Sequence, residues 1–426
     1  MYNGFSNNSN IVSNNNFAYL TKKHTYFRII FIVFAFFVFI LNNDIKNIAR
    51  AATSGDAVDI NKIEEELKIE TDKILEDIDL SEIDILLNKL EISLGVLGEN
   101  LEFKELIKNI VTGDEEISFT NVLGIVKDNI VLVVKDFASP LLLIFVIIIL
   151  CNLLNSLKPS RTENSVSDVV YFLALAVIII IVSLLIKKVV SESFQTINNI
   201  NSQINIIFPI ILTLLTTIGA TSSVQTISPL LGFFSSGIIN IFTTILFPIF
   251  TFILLMIIVN KFTKSNKLSQ MSNFFHSLFK WILGGVCSLF VTFLSFQGIT
   301  AGARDGLSIR AAKFAIKNYV PLLGGYISEG FEVVRAGSLL VKNALGFASL
   351  FLVFFTIIKP LLYLCVLSLG LKLVAGTAEM VDNIKLNNFL SDISKSLSLL
   401  VSIVVGVACM YFFIIFLVIC MGNSVV

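Results

Sequence analysis

The chain has 426 residues, of which 55% are hydrophobic and 15% are charged, and its mean hydropathy is +0.86. These values are typical of integral membrane proteins and exclude an ordinary soluble domain. The 31 acidic and 31 basic residues cancel, but residues 51–118 contain 19 acidic residues and 6 lysines, which leaves 12 acidic and 25 basic residues for the rest. The two parts therefore face different surroundings.

Residues 1–51 have the organisation of an export signal. An Asn- and Ser-rich start, predicted to be disordered, is followed by four basic residues and the apolar run Ile29–Leu41. Ala49 and Ala51 then form a small-x-small site, as in a secretory signal peptide. The stretch before this site is long and charged, so an uncleaved anchor is the alternative. Both interpretations predict that the next segment is exported.

Residues 52–118 are predicted to form two or three amphipathic helices. Apolar residues recur at steps of three and four from Ile60 to Leu101, among Glu and Lys. The run Glu64–Glu66 is best interpreted as a solvated helix face, because Ca²⁺ loops need glycine turns and alternating oxygen ligands. The apolar stripe must be covered, either by the segment itself or by a partner.

The chain enters the membrane near Phe137. Seven apolar runs approach the roughly 20 residues that a membrane helix needs, and they are Ala138–Leu157, Val169–Ile186, Ile204–Ala220, Pro229–Val259, Trp281–Ile299, Ala344–Leu371 and Leu397–Met421. If the acidic segment is exported, the first run places Lys158 and Arg161 in the cytoplasm, as the positive-inside rule prefers. Pro229–Val259 is long enough for one tilted helix or two broken ones. A double crossing is favoured because it brings Lys261 and its neighbouring lysines to the cytoplasm.

The stretch from Phe296 to Gly346 combines charge and glycine between two apolar runs. It predicts two short amphipathic helices with a turn after Pro321. It lies either on the lipid headgroups as an interfacial loop, or at membrane depth as a re-entrant hairpin or pore lining. The candidate pore or interface residues are Arg304, Asp305, Arg310, Lys313, Gly324, Gly325, Glu329, Glu332, Arg335, Lys342 and, in the following apolar run, Lys359.

The same stretch resembles the stage III sporulation protein AE family. The residues that carry the resemblance are Gly298, Arg310, Ala312, Lys313, Phe314, Pro321, Gly324, Gly325, Leu340, Lys342 and Asn343. The order of leader, acidic region, hydrophobic core and charged Gly-rich segment fits that family over nearly the whole chain. The resemblance implies a polytopic membrane protein of endospore-forming bacteria, made in the mother cell, that belongs to an assembly joining mother cell and forespore. It brings no catalytic motif.

Little in the sequence indicates catalysis or metal binding. The five cysteines lie in apolar runs without CxxC spacing and are predicted to be reduced core residues. A metal site or a Ser-His pair would depend on His276, for which a surface histidine is the favoured interpretation. A Walker-type phosphate loop and a nucleic-acid footprint are both missing from the sequence. We therefore predict no enzymatic activity, no cofactor and no nucleic-acid partner.

These observations predict an all-α, polytopic helical membrane protein with an N-terminal signal sequence and a small exported acidic helical segment. The chain is predicted to have five divisions. The disordered N-terminus with its signal peptide or anchor covers residues 1–51, the exported acidic segment covers 52–118, and a first group of transmembrane helices covers 119–299. The charged Gly-rich amphipathic or re-entrant segment covers 300–343, and the C-terminal transmembrane helices cover 344–426.

Two functions fit the sequence. The first is a structural subunit of a sporulation-specific channel or secretion-like complex between mother cell and forespore, required for spore development. Its predicted location is the mother-cell membrane around the forespore, and its predicted partners are other membrane proteins of the complex, the lipid bilayer and further copies of itself. The second is a self-sufficient secondary transporter for a small solute, indicated by the interruptions at Pro248 and Pro360 and by Lys359 at membrane depth. An internal repeat relating two halves, which many transporters show, is not evident.

Overall fold

The computed structural model describes residues 60–89, 103–112, 119–156, 165–262, 267–298, 310–311, 314, 324–381 and 383–421. The predicted signal peptide or anchor, residues 1–51, lies outside these residues. So does most of the first amphipathic helix predicted between Phe296 and Gly346. The chain divides into two compact units, residues 1–66 and 67–426. Residues 60–66 are helical, and all contacts discussed below lie within the second unit.

The described residues are helical apart from short turns. The elements are α1 Ile60–Asp77, α2 Ser81–Lys89, α3 Phe103–Thr112, α4 Phe119–Ser156, α5 Ser165–Thr217, α6 Thr221–Gly232, a π-helix Phe233–Ile238, α7 Ile239–Ile241, a π-helix Phe242–Leu246, α8 Phe247–Phe262, α9 Lys267–Gly298, α10 Gly324–Met380 and α11 Ile384–Cys420. Among the described residues, six helical runs are long and apolar enough to cross a membrane, namely Val126–Leu153, Phe172–Thr217, Thr221–Lys261, Ser269–Ser295, Gly330–Met380 and Ile384–Cys420. The chain is therefore an all-α, multi-pass membrane protein.

Two of the predicted spans, Val169–Ile186 and Ile204–Ala220, belong to the single helix α5. The polar stretch between them continues the helix because its side chains find partners inside the bundle. Gln203, for example, is buried and donates a hydrogen bond from Nε2 to Thr356 Oγ1 at 2.8 Å. A Schellman motif ends α5, with Gly219 at φ 80° and the Ala220 amide bonded to the Leu215 carbonyl at 2.9 Å.

The predicted double crossing of Pro229–Val259 is wrong in this structure. The segments from α6 to α8 form one helical run that contains two π-helices. Pro248 is the second residue of α8 and follows directly after the π-helix Phe242–Leu246. Proline lacks an amide hydrogen, so one helical hydrogen bond is lost at Pro248, directly after the change from π-helical to α-helical bonding. The interruption is therefore a local distortion and not a turn.

Helix α10 joins two segments that the sequence separates. The second amphipathic helix of the central stretch and the apolar run Ala344–Leu371 form one helix of 57 residues, about 85 Å long. The predicted division between residues 343 and 344 thus falls inside a helix. After a short turn, the Asn383 side chain caps α11 by accepting a hydrogen bond from the Leu386 amide at 3.2 Å. Helix α11 then packs against α10, and the Ile419 side chain of α11 lies directly against Gly346 of α10.

Acidic side chains form contacts between the helices of the acidic segment. Asp72 in α1 pairs with Lys108 in α3 at 2.9 Å, and the Asp84 carboxylate accepts a hydrogen bond from the Phe103 amide at 3.0 Å. The amide and hydroxyl of Ser81 bond to the Asp79 carboxylate, which lowers the pKa of this carboxyl below its usual value. The acids of α1 to α3 therefore include residues that position helices, beside those that face solvent.

Part of the apolar surface of the acidic segment is covered within the chain. Leu75, Ile83, Phe103 and Ile107 are all about 1% exposed. Helix α1 also packs on α10 at Gly337, where the Ile74 side chain approaches to within 3.4 Å of the place that a Cβ would occupy. Most of the predicted stripe lies outside the residues whose side chains the structure describes, so its cover stays a prediction.

Candidate interaction site on helix α10

The first part of α10, from Gly324 to Lys342, contains six of the eleven candidate residues. Gly324 and Gly325 begin the helix, Glu329 lies in its second turn, and Glu332 is exposed. Arg335 and Lys342 are buried against other helices, and Lys359 lies further along α10. Arg310 is an exposed helical residue before α10, whereas Arg304, Asp305 and Lys313 lie outside the described residues. The structure therefore places the candidates in several environments.

Lys342 binds the end of the last helix. Its side chain is fully buried, and Nζ donates hydrogen bonds to the carbonyl oxygens of Val418 at 3.3 Å and Ile419 at 3.0 Å, and to that of Met421. An ammonium group has three donors, and the last carbonyls of a helix lack partners within the helix and carry partial negative charge. Lys342 therefore caps α11 and connects it to α10. Its position in a polar stripe of the sequence does not predict this role.

Arg335 lies in a polar layer beneath the acidic segment. Its side chain is 8% exposed, and its Nε has no hydrogen-bond partner among the described residues. The hydroxyl groups of Thr71, Ser328 and Ser338 are also buried and unpaired within this part of the chain. A buried polar atom without a partner costs about 1–3 kcal/mol. This layer at the contact of α1 with α10 is therefore polar but incompletely satisfied within the described chain.

Lys359 belongs to a second polar site, about 25 Å along α10 from Lys342 at 1.5 Å per residue. It pairs with Glu192 of α5 at 3.4 Å. Nearby, Lys188 of α5 and the hydroxyl of Tyr363 both donate hydrogen bonds to Asp136 Oδ2 of α4, at 2.8 and 3.1 Å. We call these five residues the polar cluster. It joins α4, α5 and α10 and has no net charge.

Four members of the polar cluster were not predicted as site residues. A signal for two of them is present in the sequence, because Asp136 directly precedes the first apolar run of α4 and Lys188 follows the first apolar run of α5. Two antiparallel neighbouring helices bring such positions together. Glu192 and Tyr363 have no comparable signal, since only the packing of α10 against this pair of helices places them there.

The only described Ser-His contact does not form an accessible catalytic site. His276 Nε2 lies 3.3 Å from the Ser396 hydroxyl, and its Nδ1 lies 3.0 Å from the Ser272 carbonyl oxygen. Ser396 is fully buried, so a substrate cannot reach its hydroxyl in this structure. His276 is thus a half-buried residue at the contact of α9 with α11.

No metal-binding group of three or more His, Cys, Asp or Glu residues occurs among the described residues. The five cysteines all lie in helices of this part of the chain, and none of them forms a disulfide there. Cys365 and Cys420 are exposed, so the prediction that all five are core residues does not hold for these two.

Comparison with known proteins gives the chain its family. The sequence model of a family described as stage III sporulation protein AE matches residues 101–422. Stage III sporulation protein AE of Bacillus subtilis (strain 168) is 25% identical over 275 residues, which cover 65% of this chain and 69% of that protein. No solved structure matches the chain. The family match begins before α3 and extends through α11, so it includes the whole of α10 and the polar cluster. Because the match covers most of the chain, the chain belongs to the stage III sporulation protein AE family.

Proposed function

We propose that this protein is a membrane-embedded structural subunit of a multiprotein channel or secretion-like complex that connects mother cell and forespore and is required for spore development. Membership of the sporulation family over residues 101–422 carries the proposal. The docking of an acidic helical segment on α10 supports it, because α10 continues from that segment into the apolar bundle and presents a folded polar platform to other proteins. In this role the chain acts through assembly and has no catalytic activity of its own.

The proposed location is the mother-cell membrane around the forespore, reached through an N-terminal signal peptide or anchor, with the acidic segment exported. Six crossings then place both the acidic segment and the end of α11 on the exported side. The turn between α8 and α9, next to Lys261, lies in the cytoplasm, as the positive-inside rule prefers. Because α5 is one continuous helix, this arrangement brings Lys261 to the cytoplasm without the double crossing that was predicted for this purpose.

A test of this proposal is to isolate the tagged full-length protein from membranes of sporulating cells in mild detergent. We expect it to be recovered with other sporulation membrane proteins, including additional copies of itself. Its matched control is the same protein with α1 to α3 removed, which should be inserted in the membrane but lose part of that set. Recovery of the intact protein alone, at the mass of one copy, would contradict the proposal.

The second candidate is a self-sufficient secondary transporter, and one observation favours it. Lys359 and Glu192 form a charged pair next to Pro360, inside helices long enough to cross the membrane. Paired charges at membrane depth mark solute or ion paths in many transporters. Solute uptake into liposomes by the purified protein alone would establish this function and exclude a purely structural role.

A further inference from the structure

Helix α5 and the run from α6 to α8 form an antiparallel hairpin. They meet at the turn around Gly219, and further along, the ring centroids of Phe194 in α5 and Phe247 in α8 are 5.3 Å apart. Asn198 and Asn205 follow Phe194 by four and eleven residues, so they lie beside roughly residues 243 and 236 of the partner run. The hairpin therefore pairs the second half of α5 with the middle of that run.

The exposed surface of α5 in this hairpin is polar but uncharged. The sequence has no charged residue from Ser193 to Asn260. After Phe194, every exposed residue of α5 apart from Pro209 is polar, and these residues are Gln195, Asn198, Asn205, Thr213, Thr216 and Thr217. Helix surfaces that face lipid are apolar, because polar groups find no hydrogen-bond partners in hydrocarbon. This surface is therefore not built to face lipid.

The partner run also exposes polar side chains, and these lie at membrane depth. Asn240 and Thr244 are exposed. A crossing needs about 20 residues, and any stretch of that length within the apolar run Pro229–Val259 includes positions 240–248. Asn240 and Thr244 are therefore inside the hydrocarbon layer for every such placement of the crossing. Asn198 and Asn205 lie beside this part of the run and share its depth.

The polar residues of both helices flank the contact between Phe194 and Phe247. Residues three, four or eleven positions apart lie on one side of a helix. Asn198 and Asn205 are thus on the side of α5 that carries Phe194, and Thr244 is on the side of α8 that carries Phe247. The two sets adjoin along the groove between the helices.

Helix α11 covers the opposite side of the hairpin. The ring centroids of Phe208 in α5 and Tyr411 in α11 are 6.1 Å apart, and Phe242 lies 3.8 Å from the place of a Cβ at Gly406 in α11. The exposed polar residues must therefore lie on the other, open side. We give the name polar hairpin face to four exposed residues of that side, namely Asn198, Asn205, Asn240 and Thr244.

Other exposed surfaces of the chain have a different composition. Phe290 of α9 contacts Phe234 with ring centroids 5.8 Å apart, and at this level α9 exposes Leu289 and Val291, at 61% and 57%. Helix α1 of the acidic segment instead exposes charged side chains, among them Lys73, Glu76 and Asp77. The polar hairpin face matches neither the apolar surface of a membrane helix nor the charged surface that this chain presents to bulk water.

The side chains of the polar hairpin face are suited to contact with water. The Thr244 hydroxyl donates a hydrogen bond to Asn240 Oδ1 at 2.7 Å. The amide groups of Asn198, Asn205 and Asn240 each have two donors and an acceptor, which water can satisfy and lipid cannot. Asn240 also lies between the two π-helices, and π-helices are frequent at functional sites.

We propose that the polar hairpin face lines a water-filled path through the membrane for small polar solutes. Polar side chains at membrane depth are stable where they face such a path. This inference rests on the channel in the proposed function, and it assigns part of the lining of that channel to a surface of this chain.

The chemistry of the face also indicates the class of solute. Pores that select by charge have rings of acidic or basic side chains. The polar hairpin face presents amide and hydroxyl groups, and the sequence around it has no charged residue from Ser193 to Asn260. The path therefore admits solutes by size, and it does not distinguish cations from anions.

The test is the rate of cysteine modification in open membrane fragments of sporulating cells that express the full-length chain. After replacement of the five native cysteines, single cysteines are introduced at Asn198, Asn205 or Asn240, and at Leu289 or Val291 as matched controls. All five positions are exposed, so the replacements do not disturb the core. Two small methanethiosulfonate reagents are applied, one cationic and one anionic.

We expect the three cysteines of the polar hairpin face to react at least ten-fold faster than the two controls. The reacting species is the thiolate, which forms in water and not in lipid. The cationic and the anionic reagent should react at rates within about three-fold of each other, because the lining has no charge. A polymer-linked thiol reagent, too large to enter a path of this kind, should react no faster with these cysteines than with the controls.

Three results would overturn the inference. Cysteines of the polar hairpin face that react as slowly as the controls would show that lipid or protein covers the face. Fast reaction with the polymer-linked reagent would show that the face meets bulk water outside the membrane. A ten-fold preference for one charge would contradict the assigned class of solute.

Isolation of the unmodified protein from the same cells separates this inference from the proposed function. If the sporulation complex is recovered but the cysteines react slowly, the assigned lining is wrong and the proposed function stands. If the cysteines react fast but the protein is recovered alone, the lining stands and the multiprotein function fails.

Discussion

At the scale of single residues, Lys342 shows how a charged side chain is stabilised inside an apolar bundle. Its three donors match three carbonyl groups at the end of α11, where helix carbonyls commonly lack intrahelical partners. The sequence predicts a polar residue on an amphipathic helix at this position. It cannot predict the burial, because the acceptors are backbone groups 76 or more residues away.

Replacing Lys342 tests this cap. We expect Lys342→Met to destabilise the protein by about 1–3 kcal/mol, because the carbonyl groups at the end of α11, that of Ile419 among them, lose a buried hydrogen-bond donor. Lys395→Met, at an exposed position of α11, is the matched control and should change stability by less than about 0.5 kcal/mol. The measurement is thermal unfolding of the detergent-solubilised protein. Equal stability of the two variants would contradict the capping role.

Glycine has different roles at different positions of α10. A Cβ at Gly346 would lie 2.5 and 2.9 Å from two atoms of Ile419, whereas a Cβ at Gly376 would meet nothing within 4 Å. We expect Gly346→Ala to destabilise the protein by about 1–3 kcal/mol, because the helices must move apart. Gly376→Ala should stabilise it by up to about 1 kcal/mol through helix propensity. Thermal unfolding of both variants tests the contact, and a neutral or stabilising Gly346→Ala would show that it is absent.

At the scale of elements, hydropathy and periodicity predict the existence of the helices better than their ends. The apolar runs of α9 and α11 lie where the sequence predicts them, because a single apolar stretch forms each crossing. In α5 and in α10, by contrast, one helix continues through the polar residues that separate its apolar runs. These polar residues have partners on neighbouring helices, such as Thr356 for Gln203 of α5 and Glu192 for Lys359 of α10. Such partners are distant in sequence, so a local pattern predicts a break there.

The contact between α1 and α10 gives a prediction about the acidic segment. Gly337 packs against Glu70, Thr71 and Ile74, whereas Gly330, two turns earlier, has open space around it. We expect Gly337→Leu to displace α1 and to raise amide hydrogen exchange in α1 at least ten-fold, because no room exists for the added side chain. Gly330→Leu is the matched control and should leave the exchange unchanged. Unaltered exchange in Gly337→Leu would mean that the segment is not held at this contact.

At the scale of the whole chain, composition and hydropathy predict a multi-pass membrane protein, and the structure confirms this. They do not predict the stagger of the apolar segments, because hydropathy contains no information on the register of one helix against another. The contacts of Leu141 with Gly370 and of Ile419 with Gly346 define that register.

Helix α10 is the element on which the account depends most, since it contacts the acidic segment, packs against α11 and contains two members of the polar cluster. The most direct test is therefore its crossing of the membrane. Single cysteines at Glu332 and Lys385, both exposed, are introduced after the five native cysteines have been replaced, and an impermeant thiol reagent is applied from each side. We predict labelling of Glu332→Cys only from the exported side and of Lys385→Cys only from the cytoplasm. Labelling of both positions from one side, or of Glu332→Cys from both sides, would contradict the crossing and return the charged segment to a surface loop or a re-entrant hairpin.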